Sequence, residues 1–247
     1  FSRGQKTISD QLKKMGAELK GGKWYYKGKP VTVKFIIRSE DRRKAIGDYV
    51  SGQLEKLGFT VERMYKTSRE ASPIWMSGDP ALGEWDIYTG GWVTVIVARD
   101  TSDNFQYFYL PDSLMSFSPL WKAYNPTKEF RDIGNKLAQR SFKSMKERDL
   151  LMTKALHLAM KDSVRIFLVD QNSAWVRRKG VDAVSDYAGG YSARIWPYTL
   201  RFENKTGGRM RVGSSEVIID PWNPIAGSNW IYDNMIIEAT LGRSYIW

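Results

Sequence analysis

Residues 84–103 read EWDIYTGGWVTVIVARDTSD, a stretch in which a strand-like segment is followed by two glycines and a tryptophan. Its first half alternates apolar and polar side chains, which is typical of a β-strand, and the strand ends at Gly90 and Gly91. Two glycines let the backbone turn where a Cβ would clash, and they let a ligand approach the main chain. Ligands of open α/β sheets bind beyond the carboxyl ends of strands, so Gly91 and Trp92 would contact a ligand if this strand is parallel and central. The competing interpretation is a buried strand that ends in an ordinary turn, with Trp92 in the core.

Strands and helices alternate upstream of this stretch. The continuous apolar run in Val31–Ile37 predicts a strand buried on both faces, Phe59–Tyr65 predicts a second strand, and Glu84–Gly91 predicts a third. A short helix is expected over residues 68–78. Another is expected after Asp41, with one apolar face made of Ile46, Tyr49, Val50, Leu54 and Leu57. This alternation predicts an α/β fold, a mostly parallel sheet flanked by helices.

The remaining chain predicts helices more than strands. A surface helix over residues 5–19 and a hairpin precede the alternating region. An aromatic-rich loop over 93–124 leads to a helix that starts at Asn125-Pro126, and a second helix spans about 146–161. The second helix is expected to bury Leu150, Leu151, Ala155, Leu158 and Ala159. A strand is expected at Val164–Val169, and further short strands are expected within 174–204. A composition break separates a main lobe, 1–204, from a segment, 205–247, that begins as a strand and ends as a helix.

The composition excludes several kinds of site. The chain of 247 residues has a net charge of +11 and no cysteine, so disulfides, thiolate metal sites and cysteine nucleophiles are impossible. The single histidine, His157, lies in a helical pattern and excludes multi-histidine metal sites. No cofactor is expected. Acidic residues are interleaved with the basic ones, which favours a solvated basic surface or attraction to an anionic membrane face over nucleic-acid binding.

Four segments in order resemble the family 5 extracellular solute-binding proteins of ABC transporters, the oligopeptide-, dipeptide- and nickel-binding group. They read GGKWYYKGKPVTVKFIIRSEDRR (21–43), AIGDYVSGQLEKLGFTVERMY (45–65), EWDIYTGGW (84–92) and NPTKEFRDIGNKLAQRSFKSMKERDLLMTKALHLAMKDSVRIFLVD (125–170). Their order and spacing are more specific than any one motif. The resemblance implies the second large lobe of a periplasmic-binding-protein-like (class II) fold.

The resemblance also implies a function without catalysis. Two lobes close over an oligopeptide or oligosaccharide and deliver it to the permease subunits of an importer, outside the cytoplasmic membrane, with the parent protein anchored to the membrane surface. No nucleic-acid partner is implied. The glycine–tryptophan strand end lines the cleft in peptide-binding relatives, which points to Gly90, Gly91, Trp92 and Tyr88 in this chain. An acid that follows the tryptophan in those relatives is missing here, because Val93-Thr94-Val95-Ile96 takes its place. This departure predicts a ligand without a free amino terminus.

The last segment of the chain contains further candidate ligand-binding residues. If the last segment folds back onto the lobe, Trp222, Asn223, Asn229 and Trp230 are the next candidate ligand contacts, although both tryptophans could simply pack the core. The chain begins at Phe1 rather than Met, which predicts a processed or excised piece.

A carbohydrate-active hydrolase that uses paired carboxylates is one alternative function, and a basic membrane-surface or nucleic-acid binder is another. The candidate pairs for the hydrolase are Asp100 with Asp103 and Glu84 with Asp86.

Overall fold

Strand β4 (Thr32–Arg38) is the centre of a parallel sheet in a computed structural model of the chain. Its apolar residues are almost inaccessible, with exposures of 2% for Phe35 and 0% for Ile36 and Ile37. Successive side chains of a strand point to opposite faces, so this run is covered on both sides. The prediction of a strand buried on both faces is confirmed.

The sheet order is β5-β4-β6, with both neighbours parallel to β4. Strand β5 is Thr60–Lys66 and strand β6 is Ile87–Tyr88. Helix α2 (Arg43–Lys56) connects β4 to β5, and helix α3 (Ser68–Trp75) follows β5. This is the predicted α/β arrangement of a parallel sheet flanked by helices.

Strand β6 is shorter than the predicted strand Glu84–Gly91. The amide of Thr89 still donates to Ile36 of β4 at 3.0 Å, but the amide of Gly90 turns back to the carbonyl of Tyr88 at 3.0 Å. This local turn ends the pairing before the two glycines. The glycines therefore follow the strand instead of belonging to it.

Helix α2 packs on the sheet mainly through small residues, so its predicted apolar face is only partly right. The face is wrong at Tyr49, whereas its other members are partly buried: Ile46, Val50, Leu54 and Leu57. Gly47 and Ser51 are buried, whereas Tyr49 is 68% exposed. A Cβ added to Gly47 would lie 2.6 Å from the Cγ2 atom of Ile37, so the helix backbone lies directly against β4. Close approach of helix and strand selects small side chains at the contact.

The chain before β4 forms a surface helix and an antiparallel meander. Helix α1 (Ser2–Lys14) has no buried residue, as its polar pattern predicted. Trp24 of the meander is 2% exposed, and its indole N–H donates to the carbonyl of Leu57 at 2.8 Å. This single buried aromatic anchors the meander at the end of α2. The strands of the meander are β1 (Glu18–Lys20), β2 (Lys23–Tyr26) and β3 (Lys29–Pro30).

The chain from Trp92 onward has a helical core. Phe130 and Leu137 are buried on one helix, and Ala155 and Ala159 are buried on the next, as their spacing predicted. Leu150 was expected to point inward, but it is 65% exposed, because the buried face of its helix is defined by the two alanines. The helices are α4 (Asn104–Tyr109), α5 (Pro119–Ala123), α6 (Lys128–Ala138) and α7 (Met145–Asp162).

The predicted strand Val164–Val169 does not form. No strand within the described residues pairs with this segment, and Ile166 and Phe167 are 75% and 77% exposed. β-structure requires hydrogen bonds to a second strand, and the apolar pattern alone cannot supply that partner. The strand expected just after Gly208 is also not observed in the described part of residues 209–214. The elements that do form after α7 are β7 (Val181–Asp182), α8 (Trp196–Thr199), β8 (Arg201–Phe202) and α9 (Ile231–Thr240).

The structure describes residues 2–92, 100–113, 115–170, 174, 176–184, 196–214, 216, 218–219 and 230–240. The chain divides into two compact units, Phe1–Gly91 and Trp92–Trp247. The predicted division into 1–204 and 205–247 stays a prediction. Within the described residues, no helix has the length and apolarity to span a bilayer.

Candidate functional site

Tyr88 is fixed by two contacts at the carboxyl end of the parallel sheet. Its ring stacks on Trp75, with centroids 4.8 Å apart and an interplanar angle of 16°. Its hydroxyl accepts a hydrogen bond from Nη1 of Arg38 at 3.0 Å. The side chain is only half buried, so part of its ring stays accessible while its orientation is held.

Arg38 forms a buried ion pair directly beneath Tyr88. Its Nε and Nη2 donate to the two carboxylate oxygens of Glu40 at 2.8 and 3.0 Å, and the same carboxylate accepts from the amide of Ser68. Burial disfavours the charged guanidinium, but the bonds to Glu40 and Tyr88 outweigh it and raise the pKa of Arg38. The sequence reasoning missed this residue. An arginine at the end of a buried strand was the available signal.

Gly90 and Gly91 are both exposed, and a second ion pair lies against Gly91. The carboxylate of Asp41 accepts from the amide, Nε and Nη2 of Arg43 at 2.7–3.0 Å. A Cβ added to Gly91 would lie 3.3 Å from Nη1 of Arg43, which is tight. The missing side chain at Gly91 therefore makes room for the guanidinium and leaves the backbone open to solvent.

Trp92 presents an accessible aromatic face. Its side chain is 63% exposed. The ring contacts Phe108 edge-on at 4.9 Å and Tyr107 at 5.5 Å, both from α4. An aromatic side chain supported on one side and exposed on the other is suited to stacking on a ligand. The competing interpretation of Trp92 as a core residue is wrong.

Arg165 lies against Phe108 of this aromatic group, among three rings. Its guanidinium carbon is 4.9 Å from the ring centre of Phe108, 5.8 Å from that of Tyr109 and 5.4 Å from that of Trp121. Its Nε and Nη2 both donate to the carbonyl of Phe108 at 3.2 Å. Burial lowers the pKa of Arg165. The sequence gave no signal for this residue beyond its charge within an apolar run.

Two solved structures are similar to this chain at low sequence identity. NikZ from Campylobacter jejuni, in complex with Ni(L-His), has a TM-score of 0.50 and 15% identity, over 64% of this chain and 30% of that one. A nickel ABC transporter from Bacillus halodurans has a TM-score of 0.48 and 17% identity, over the same shares. No family model matches the sequence, and no curated protein is significantly similar to it.

The fold is that of a periplasmic-binding-protein lobe. The predicted fold class is therefore confirmed. The chain spans 30% of the length of the solved chains that it matches. In open parallel sheets of this kind, ligands bind beyond the carboxyl ends of the strands, and Tyr88–Gly91 lies at such an end, with Trp92 next in the chain.

The remaining predicted contacts belong to the last segment of the chain. Trp222, Asn223 and Asn229 lie outside the described residues. Trp230 is 6% exposed and contacts the ring of Tyr232 at 5.2 Å, so its indole packs inside the protein. A ligand contact for any of these four residues stays a prediction.

Two of the four carboxylates proposed for a hydrolase, Asp100 and Asp86, have structural partners. Asp100 accepts from Ser102, from Nε of Arg140 and from Nη2 of Arg148, the last two at 3.1 Å, and these bonds lower its pKa. A carboxylate held ionised in this way is unsuited to donate a proton. Asp86 accepts from the amide of Lys34 at 2.8 Å, which ties β6 to β4.

Metal ligands and cavities do not point to another site. No group of three metal-ligating side chains occurs in the part of the chain that the structure describes, and His157 is exposed on α7. A shallow cavity of about 410 Å³ is lined by residues of α1, the meander and the end of α2, including Lys6, Trp24 and Leu57. None of the predicted site residues lines it.

Proposed function

We propose that the chain belongs to the solute-binding component of an ABC importer and acts without catalysis. The observation that carries the proposal is the exposed segment Gly90–Trp92, which follows the carboxyl end of a parallel sheet in a periplasmic-binding-protein-like fold. In the complete receptor, two lobes would close over the solute and present it to the permease subunits. Such a receptor works at the outer face of the cytoplasmic membrane, where the parent protein would be anchored.

An oligopeptide is the solute class that the strand geometry supports best. Strand β6 is an edge of the sheet within the described residues, and exposed Gly90 and Gly91 follow it. An extended peptide can pair with such an edge through main-chain hydrogen bonds. The absence of an acid in residues 93–96 supports a peptide whose amino group is blocked or internal.

An oligosaccharide is the second candidate, and the exposure of Trp92 favours it. Sugar rings present a flat C–H face that packs well on an accessible aromatic ring. Trp92 is 63% exposed and is held from behind by Tyr107 and Phe108. A peptide side chain could contact the same face, so either solute class would use Trp92.

The test is ligand-dependent thermal stabilisation of the purified protein. N-acetylated oligopeptides, neutral oligosaccharides and nickel–histidine are added separately at rising concentration. A ligand at about 100 times its Kd stabilises the folded state by about 2.7 kcal/mol. We expect stabilisation by an acetylated peptide or an oligosaccharide, and its loss in Trp92→Ala.

Tyr49→Ala is the matched control, because Tyr49 is 68% exposed on α2 and lies outside the proposed site. This variant should keep the full ligand response. If neither peptides nor oligosaccharides stabilise the protein, the proposal is wrong. Stabilisation by nickel–histidine alone would replace the proposed solute class with a metal chelate.

A further inference from the structure

Arg165 has no carboxylate partner within the described residues, unlike three other partly buried arginines of the chain. Arg38 pairs with Glu40, Arg43 pairs with Asp41, and Arg148 pairs with Asp100. Within the described residues, no carboxylate lies at ion-pair distance from Arg165, whose neighbours are rings and one carbonyl. Burial of a cation without a counter-anion is costly, so an anion that came to this site would be bound favourably.

The hydrogen bonds of Arg165 leave one edge of the guanidinium open. Nε and Nη2 donate from the side edge to the carbonyl of Phe108, at 3.2 Å each. Nη1 donates to no acceptor in the described part of the chain. The end edge, formed by Nη1 and the outer N–H of Nη2, is therefore unused. This edge has the two-pronged geometry that matches a carboxylate.

The rings hold this open edge in a fixed orientation. The guanidinium lies over Phe108, Tyr109 and Trp121, and the carbonyl of Phe108 holds its side edge. Cation–π contacts and a two-donor bond restrict the plane of the group before any ligand arrives. Such pre-organisation reduces the entropy that binding costs.

Arg165 and Trp92 share Phe108 as a neighbour. The guanidinium carbon of Arg165 and the ring centre of Trp92 each lie 4.9 Å from the centre of the Phe108 ring, so the two groups are no farther apart than twice that distance, which one oligomeric ligand can span. A flat or apolar part of the ligand would contact Trp92 while an anionic part reaches the guanidinium. The net charge of +11 also attracts anions to the protein as a whole.

We propose that Arg165 binds a carboxylate of the solute through its open edge, next to the platform of Trp92. This inference rests on the proposed solute-binding function and narrows its solute class to acids. A peptide carboxylate and the carboxylate of a uronic-acid sugar share this chemistry. The missing acid after Trp92 and the available cation at Arg165 favour a ligand with a free carboxylate and no free amino group.

The experiment compares acids with neutral analogues by isothermal titration calorimetry. The first pair of probes is N-acetyl-Gly-Gly-Phe and its carboxyl-terminal amide. The second pair is an oligogalacturonide and its methyl ester, which separates a sugar source of the carboxylate from a peptide source. In the unmodified protein, we expect one acid to bind about tenfold or more tightly than its neutral analogue, which is typical of a charge-assisted hydrogen bond.

Three variants assign this preference to Arg165. Arg165→Gln should bind the acid and its neutral analogue equally. Arg165→Lys keeps the charge but lacks the two-pronged edge, so it should lose most of the preference. Arg209→Gln removes the same charge from an exposed position in the same unit and should keep the preference. Circular dichroism melting checks the folding of each variant, and Arg165→Lys serves if Arg165→Gln does not fold.

The outcomes separate this inference from the proposed function. Equal binding of acid and neutral analogue by the unmodified protein overturns the carboxylate site but leaves solute binding intact. A preference that persists undiminished in Arg165→Lys and Arg165→Gln also overturns it. Binding of none of the four probes counts against both the carboxylate site and the proposed receptor function.

Discussion

The carboxylate of Asp100 shows how a single residue can join distant parts of the helical unit. It accepts hydrogen bonds from Ser102, Arg140 and Arg148, and so ties the start of the helical unit to the junction of α6 and α7. Its side chain is only 28% exposed, so solvent screens the interaction incompletely. These contacts are typical of a structural residue and not of a catalytic acid.

This network predicts a pH dependence of stability. The bonds from Ser102 first, and then those from Arg140 and Arg148, lower the pKa of Asp100 below its usual value. A lowered pKa in the folded state stabilises the protein above the unfolded-state pKa of about 3.9, and this contribution is lost as the pH falls further toward the folded-state pKa. Asp100→Asn should therefore be less stable than the unmodified protein at pH 7, with the difference shrinking below about pH 4.

Urea unfolding at pH values from 2 to 7 measures this difference in free energy. Asp132→Asn is the control, because Asp132 forms an exposed pair with Lys128 on α6 and should cost little at any pH. A difference for Asp100→Asn that stays constant down to the lowest pH would contradict the assignment.

The candidate residues after β6 could be proposed from the sequence, whereas the roles of the partly buried arginines could not. Glycine and tryptophan after a strand are informative as residue types, so Gly90, Gly91 and Trp92 could be proposed from the sequence. Arg38 and Arg165 could not, because basic residues occur throughout the chain. Their roles depend on which groups surround them, and those groups come from distant parts of the sequence: Tyr88 lies 50 residues from Arg38, and Phe108 lies 57 residues from Arg165.

At the level of elements, the contact between α2 and β4 explains why the apolar pattern of the helix misled. The buried positions carry Gly47 and Ser51, which a search for large apolar residues passes over. Ile37 of β4 fills the space that a side chain at position 47 would need. The contact therefore combines the large side chain of Ile37 on the strand with the absence of a side chain at Gly47 on the helix.

The contact predicts opposite effects for two glycine substitutions in the same helix. Gly47→Ala places a Cβ 2.6 Å from Ile37 and should destabilise the protein by about 1–3 kcal/mol, less a gain of up to about 1 kcal/mol in helix propensity. Gly52→Ala meets no described atom within 4 Å and should stabilise by about 0.5–1 kcal/mol. Urea unfolding of both variants checks the signs, and a stabilised Gly47→Ala would show that α2 does not lie so close to β4.

Strand prediction succeeded only where the structure supplies a partner. Thr32–Arg38 and Thr60–Lys66 pair along seven positions each, as their apolar runs suggested. Val164–Val169 has the same kind of composition, but no described strand pairs with it, and its side chains are mostly exposed. A β-strand is stabilised by its neighbouring strand, and the local sequence pattern does not predict which segment that neighbour will be.

At the level of the whole molecule, the chain consists of two units with separate cores. The first unit, Phe1–Gly91, is built around Phe35, Ile36 and Ile37 of the sheet. The second, Trp92–Trp247, is built around the helix pair α6 and α7, with Leu137 fully buried. Because the cores are separate, we expect a destabilising substitution in one unit to leave the amides of the other unit protected from hydrogen exchange.

Leu137→Ala tests this separation. Truncation of a fully buried leucine should destabilise the second unit by about 2–5 kcal/mol. Hydrogen exchange should then become faster in α6 and α7, while the amides of β4 and β5 keep their protection. Leu156→Ala is the control, because Leu156 is 52% exposed on α7 and its truncation should change exchange little. Equal loss of protection in both units would show that they unfold as one body.

The sequence by itself determined the alternation of β4, α2, β5, α3 and β6, and it pointed to Gly90–Trp92 as the place where the third strand of this alternation ends. These are local properties, because apolar periodicity and turn residues act on the few neighbouring residues that they constrain. Only the tertiary structure decided that Trp92 is exposed while contacting Tyr107 and Phe108, and that Arg165 lies against Phe108. Burial and charge pairing depend on contacts between residues far apart in the chain, and no local pattern records them.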